Sequence, residues 1–210
     1  MKAAWVRPGG PLYPAKRDVF KAQGGRQFFY DATDPALTAH PEVLPALRAG
    51  GWWVGTTRDP TWTTPTPDPM TFAEMLSADL DKYAGPGIQH GTIMDVETHN
   101  VEYARLVIVN FRALRPGRYL YWTFEPFQGG LITDGVAQLV NADPYTWLLP
   151  QLYFGESVDP AFRHVSERAV LNDLEQTTVH DAKVKCYYDR LEAGWDGVLF
   201  DWTNIAAQLP

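Results

Sequence analysis

Short apolar runs that alternate with helical stretches, and are not joined by hairpin turns, constrain this chain more than any other feature. The runs are Arg26–Asp31, Gly51–Thr56, the segment around Gly91–Asp95, Arg118–Phe124, Trp147–Phe154, Val184–Tyr188 and Gly197–Phe200. Helical pattern intervenes at Pro41–Arg48, from Thr71 to about Tyr83, at Val101–Leu114, at Thr133–Val140 and from Pro160 to about Gln176, with one further turn at Arg190–Ala193. The clearest helix has apolar residues at 103, 104, 107, 108, 111 and 114, a helical period, with Asn100 as N-cap and Pro116-Gly117 as stop. Thr71 and Glu74 match a capping box. Strands alternating with crossover helices imply a parallel sheet.

Seven runs, with Lys2–Val6 as an eighth, point to an α/β fold: a (β/α) TIM-like barrel with seven or eight parallel strands. A doubly wound open sheet is the runner-up, but no Gly-rich phosphate turn follows the early strands. The 210 residues suit a single domain, 1–210, whose first 26 residues are the least legible.

In a barrel of this kind the reacting groups sit at the C-terminal ends of the strands. Here those ends carry Asp31, Asp95 with Glu97, Glu125, Glu156, Asp189 and Asp201. Side chains two apart on a strand share a face, so Asp95 and Glu97 stand together, roughly 6–7 Å apart along the strand. Paired carboxylates are what acid/base chemistry on a glycosidic bond requires. Mutual repulsion would keep one of them protonated near neutral pH. Acids also favour turns and helix starts, which accounts for many of these positions. The loop from Thr57 to Pro69 is long for a link and carries Trp62. Trp62, Trp122 and Trp202, with Glu125 and Tyr153, are the expected substrate-binding set, the tryptophans as exposed platforms for sugar rings.

Several classes are disfavoured. A net charge of −7 with no basic stripe argues against a nucleic-acid partner. The single Cys186 leaves no internal disulfide or multi-Cys zinc site, and five scattered His residues show no zinc spacing. No metal and no cofactor is expected. No apolar run reaches the length of a membrane span, and Met1–Pro8 is not a signal peptide. The expected setting is a virion tail, or the cytoplasm until release.

Four places in the chain resemble the family 25 glycoside hydrolases, lysozymes that cut the glycan of peptidoglycan on a modified barrel. These are Asp31-Ala-Thr33, Asp95-Val-Glu97, the apolar strand Trp147–Tyr153, and Gly197–Asp201 with Trp202 and Asn204 beyond it. The resemblance implies Glu97 as general acid/base and Asp95 as the group that orients substrate or stabilises positive charge. Asp31 and Asp201 would complete an acidic floor. The implied partner is bacterial cell-wall glycan.

Three other readings stay open. Asp95-Val-Glu97-Thr98 resembles the first motif of proofreading-type 3′–5′ exonucleases, although Lys185 stands where the later Asp of that family would fall after His180. Asp31, Asp95, Glu97 and His99 could serve a metal-dependent phosphodiesterase. A barrel without activity would suit a glycan-binding or structural module of a bacteriophage tail, packed against other tail subunits.

Overall fold

The computed structural model of the protein describes residues 2–6, 14–87, 89–96, 101–124, 134–152, 186–188, 197–199 and 202–210. The strands are β1 (Lys2–Val6), β2 (Gln27–Asp31), β3 (Trp53–Arg58), β4 (Thr92–Asp95), β5 (Leu120–Phe124), β6 (Thr146–Leu152), β7 (Cys186–Tyr188) and β8 (Gly197–Leu199). They form a closed barrel in chain order, and all of their pairings are parallel. The segment Lys2–Val6, an optional eighth strand in the sequence, is the one that closes the barrel by pairing with both β2 and β8. The described helices are α1 (Pro14–Ala22), α2 (Ala36–Ala39), α3 (Val43–Ala49), α4 (Pro69–Asp79), α5 (Val101–Leu114), α6 (Asp134–Ala142) and α7 (Trp202–Gln208). The expected helices at 160–176 and 190–193 lie outside the described residues, as does the Asn100 cap.

Strand alternation sorts the core into two layers. Ala4, Phe28, Tyr30, Val54, Met94, Trp122 and Leu199 face the helices, where they meet residues such as Phe20, Phe72, Leu76 and Phe111. Ala3, Trp5, Phe29, Ile93, Tyr121, Leu149 and Val198 fill the barrel. Inside it, Phe29 and Tyr121 meet edge to face at 5.5 Å. Gly55 is needed there, because a Cβ on it would lie 2.4 Å from the Phe29 ring and 2.7 Å from the carbonyl oxygen of Gly91.

The register fixes the stagger. Thr57 leads through Ile93 and Tyr121 to Trp147 on β6, four residues short of Gln151. Gln151 leads through Tyr187, Val198, Ala3 and Gln27 to Trp53 on β3, four residues short of Thr57. One circuit therefore shifts the register by eight residues, the stagger that stacks interior side chains in tiers drawn from alternate strands.

Helix α4 corrects one reading. Its N-cap is Asp68, not Thr71: the Asp68 carboxylate accepts from the backbone N–H groups of Met70 and Thr71 and from the Thr71 hydroxyl at 2.7 Å. Pro69 at the first helical position starts the helix three residues early, because its fixed φ suits that position and its missing N–H is not needed there. The helix then widens into a π-turn at Leu80–Ala84 and stops at Gly85, whose φ of 79° is in the left-handed region.

The N-terminal face is tied by arginines. Arg118 donates to the carbonyls of His90 (2.9 Å) and Gly85 (3.0 Å), and Arg112 to the carbonyl of Tyr145 (3.1 Å) and the hydroxyl of Thr146 (3.1 Å).

Candidate active site at the barrel mouth

The stagger decides which side chains share a level at the C-terminal mouth. Asp31 on β2 pairs in register with Thr57, and Thr57 with Ile93. Two residues beyond Ile93, at the level of Asp31, stands Asp95 on β4. Asp95 pairs with Thr123, Thr123 with Leu149, and two residues further is Gln151 on β6. Asp31, Asp95 and Gln151 therefore form one tier. Both aspartates are half-buried, and Gln151 is buried. The tier below draws on the odd strands and contains Trp5, Thr57 and Thr123, all buried. Beneath that, the interior is apolar, with Phe29, Ile93, Leu149 and Val198. The barrel thus has a polar mouth over an apolar plug.

Asp31 is held by its own turn. Its Oδ1 accepts from the Thr33 backbone N–H at 2.7 Å and from the Thr33 hydroxyl at 2.6 Å, and the Ala32 N–H donates to the carbonyl of Thr57. Arg58, at the end of β3, faces the helices and grips Asp79 of α4 through two hydrogen bonds of 2.6 and 3.0 Å. Burial alone would lower the Arg58 pKa. The Asp79 hydrogen bonds and charge outweigh it and raise the pKa, and the negative charge of Asp31 adds to that rise.

The strand end that carries Asp95 is pinned from outside, where Trp122 Nε1 donates to the carbonyl of Val96 at 3.2 Å. After β3 the chain turns into a 3₁₀ segment, Pro60–Trp62, capped by Asp59 through the Thr61 N–H (2.6 Å) and hydroxyl (2.7 Å). That turn presents Trp62, 44% exposed, on the C-terminal side of the barrel.

Two of the expected aromatic platforms are corrected. Trp122 is 1% exposed and Trp202 is fully buried. Trp122 lies on the outward face of β5, packed against Phe124 at 5.0 Å, and Trp202 begins α7 and packs on Phe20 and Phe28, each at 5.3 Å. Burying so much apolar surface in the helix–barrel layer outweighs any exposed role. Glu97, Glu125, Tyr153 and Asp201 lie outside the described residues. Thr57, Thr123 and Gln151 were not singled out from the sequence. Strand alternation back from Glu125 could have flagged Thr123, but β3 and β6 carry none of these acids to flag Thr57 and Gln151, and the level of all three depends on the register.

Among the described residues no three His, Cys, Asp or Glu side chains gather as a metal-ligand set. The set weighed for a phosphodiesterase includes Glu97 and His99, which are not among them. No helix in the described residues is long and apolar enough to cross a membrane.

No family model matches the chain, and no curated protein matches it in sequence. Solved structures do match. Active domain 2 of the chitinase from Pyrococcus furiosus aligns with 97% of this chain and 76% of its own, at 11% identity and a TM-score of 0.57. A GH10 endoxylanase retrieved from a sugarcane soil metagenome aligns with 93% of this chain and 69% of its own, at 8% identity and a TM-score of 0.52. At such identities the likeness is one of fold: this chain is a closed (β/α) barrel of the kind on which both of those glycoside hydrolases are built.

Proposed function

We propose that this protein is a glycoside hydrolase that cuts the glycan of bacterial cell walls, using Glu97 and Asp95. The observation that carries the reading is the sharing of one tier by Asp31 and Asp95, in the polar mouth at the C-terminal ends of the strands. Reacting groups of barrel enzymes come from that end. The fold is shared with a chitinase domain that has been solved with chito-oligosaccharides and with a xylanase, which supports a polysaccharide as the general class of substrate. The finer substrate rests on the lysozyme-like motifs of the sequence.

In this reading Glu97 gives a proton to the glycosidic oxygen as the carbon–oxygen bond breaks, and a water that bonds to the anomeric carbon returns a proton to Glu97. Asp95 carries the negative charge that balances the positive charge developing on the sugar ring. Asp31 and Asp201 extend the acidic rim. Trp62 offers an exposed ring for a sugar to stack on. Glu125 and Tyr153 follow β5 and β6 in the sequence and would contact the sugar at the same mouth.

The test is release of reducing ends from purified bacterial cell walls, with chito-oligosaccharides and xylan assayed alongside. Wild-type release should fall by about 10²–10⁴-fold in Glu97→Gln and by a comparable factor in Asp95→Asn. It should not depend on added chelator. Release from chito-oligosaccharides or xylan but not from walls would keep the hydrolase and change its substrate. No release from any of these by folded protein would overturn the reading and leave a glycan-binding or structural barrel.

A further inference from the structure

The barrel's threonines divide into two groups. Those facing the helices or the N-terminal end satisfy their hydroxyls: Thr56 donates to the hydroxyl of Thr92 at 2.9 Å, and the Thr146 hydroxyl donates to Asp143 and accepts from Arg112. Thr57 and Thr123, facing the barrel axis, do not. They are 2% and 0% exposed, and both hydroxyl oxygens are buried with no protein partner. Buried hydroxyls are nearly always hydrogen-bonded. Replacing either by an apolar group of the same shape would remove that requirement, so both hydroxyls mark a polar demand built into the interior.

Their position tells what meets the demand. Thr123 is the register partner of Asp95, and Thr57 pairs with Ile93, two residues before Asp95 on the same face. The two hydroxyls therefore flank β4 one tier beneath the carboxylate. A threonine hydroxyl both donates and accepts, as does the oxygen of a water or a sugar hydroxyl. Apolar side chains close the space from below. A buried water needs two to four polar partners, and the two hydroxyls with the Asp95 carboxylate above them are the polar groups the register brings to this level.

We infer that Thr57 and Thr123 form a socket beneath Asp95 that holds one hydroxylic oxygen, an ordered water in the free protein, and that this oxygen orients the Asp95 carboxylate. Thr57 and Thr123 are thus positioning residues. The inference rests on the reading of Asp95 as a carboxylate of the site, but it can be tested without turnover. A water donating to a carboxylate favours its ionised form, so removing the socket should raise the pH at which Asp95 titrates.

The experiment is a ¹³C NMR titration of protein labelled in its aspartate carboxyl groups, with Asp95→Asn identifying the resonance. The proteins compared are wild type, Thr57→Val, Thr123→Val, and the conservative Thr57→Ser and Thr123→Ser. Each valine variant should move the Asp95 midpoint upward by about half a pH unit or more, and each serine variant should restore it. If the protein hydrolyses walls, the acid limb of its pH profile should move the same way, with kcat lowered and KM little changed. A crystal structure of the free protein should show the water against Thr57 Oγ1 or Thr123 Oγ1. If that oxygen is instead supplied by the sugar, the midpoint should shift between valine and wild type only with chito-oligosaccharide bound. An unchanged midpoint in valine variants that fold, with and without oligosaccharide, would overturn the inference. Inactive wild type with a shifted midpoint would instead overturn the hydrolase reading and leave the socket standing.

Discussion

The indole nitrogen of Trp122 donates a 3.2 Å hydrogen bond to the carbonyl oxygen of Val96, the residue between Asp95 and Glu97. A tryptophan expected at the surface is thus a clamp on the strand end that carries the candidate acids. It acts from the helix-facing side of the barrel, out of reach of any ligand in the mouth.

Trp122→Phe keeps a large ring but leaves the Val96 carbonyl unpaired, at a cost of about 1–3 kcal/mol. For a chain of this length that lowers the melting temperature by roughly 2–4 °C per kcal/mol. If the clamp also positions the acids, glycan release should fall further than stability explains. Calorimetry and the wall assay on one preparation separate the two effects.

Removing Asp79 should be more damaging than its distance from the mouth suggests. Asp79→Asn leaves the guanidinium of Arg58 without its charged partner in a layer where their side chains are only 13% and 8% exposed. Breaking such a buried pair from one side costs roughly 3–5 kcal/mol. The double variant Arg58→Met with Asp79→Leu should recover much of that loss in chemical denaturation. No recovery would mean that the pair itself supplies the stability.

Gly55→Ala should destabilise by about 1–3 kcal/mol or more, because the added methyl meets the Phe29 ring and the Gly91 backbone at once. A second change, Phe29→Leu, makes room on one side only, so it should relieve the strain in part. Urea unfolding of the single and double variants measures the coupling.

His90 gives the fold a pH dependence. It is buried, and its Nδ1 accepts from the Val54 N–H at 2.9 Å. Burial, and to a lesser degree the charges of Arg118 and Arg48, hold its pKa below the ordinary value, although the Val54 carbonyl, 3.0 Å from Nδ1 and ready to accept from the protonated ring, opposes them. The unfolded chain therefore takes up the proton first as pH falls. The stability that neutral His90 contributes is complete above the unfolded pKa of about 6.5, and it is lost as pH drops from there through the folded pKa. In His90→Asn, which can still accept from Val54, the loss of stability between about pH 7.5 and pH 5 should be smaller than in wild type. Equal slopes in urea unfolding would rule His90 out as the source.

The local elements were legible because they follow from local rules. Apolar runs of strand length, a 3.6-residue period at 101–114 and Gly/Pro punctuation gave the order of strands and helices, and with it the parallel barrel. The start of α4 was misplaced by three residues because two capping patterns overlap there, and the Asp68-Pro69 pair prevails by fixing the first turn. The acids at strand ends were likewise visible as acids, but both faces of these strands are apolar, and it is the packing of Phe29 and Ile93 inside the barrel that shows Asp31 and Asp95 to point inward.

What the sequence by itself determined is therefore the architecture and the chemical type of the mouth. Only the tertiary structure decided which residues meet there. Level in a closed barrel is set by the stagger that accumulates around the circuit, and no single strand carries that information. That stagger puts Asp95 level with Asp31 and sets Thr57 and Thr123 beneath them. Burial of Trp122 and Trp202 was decided in the same way. A tryptophan two residues before, or just after, a strand's end reads as a rim aromatic until packing shows that its ring faces the helices, where excluding water from so large a surface outweighs what it could gain outside.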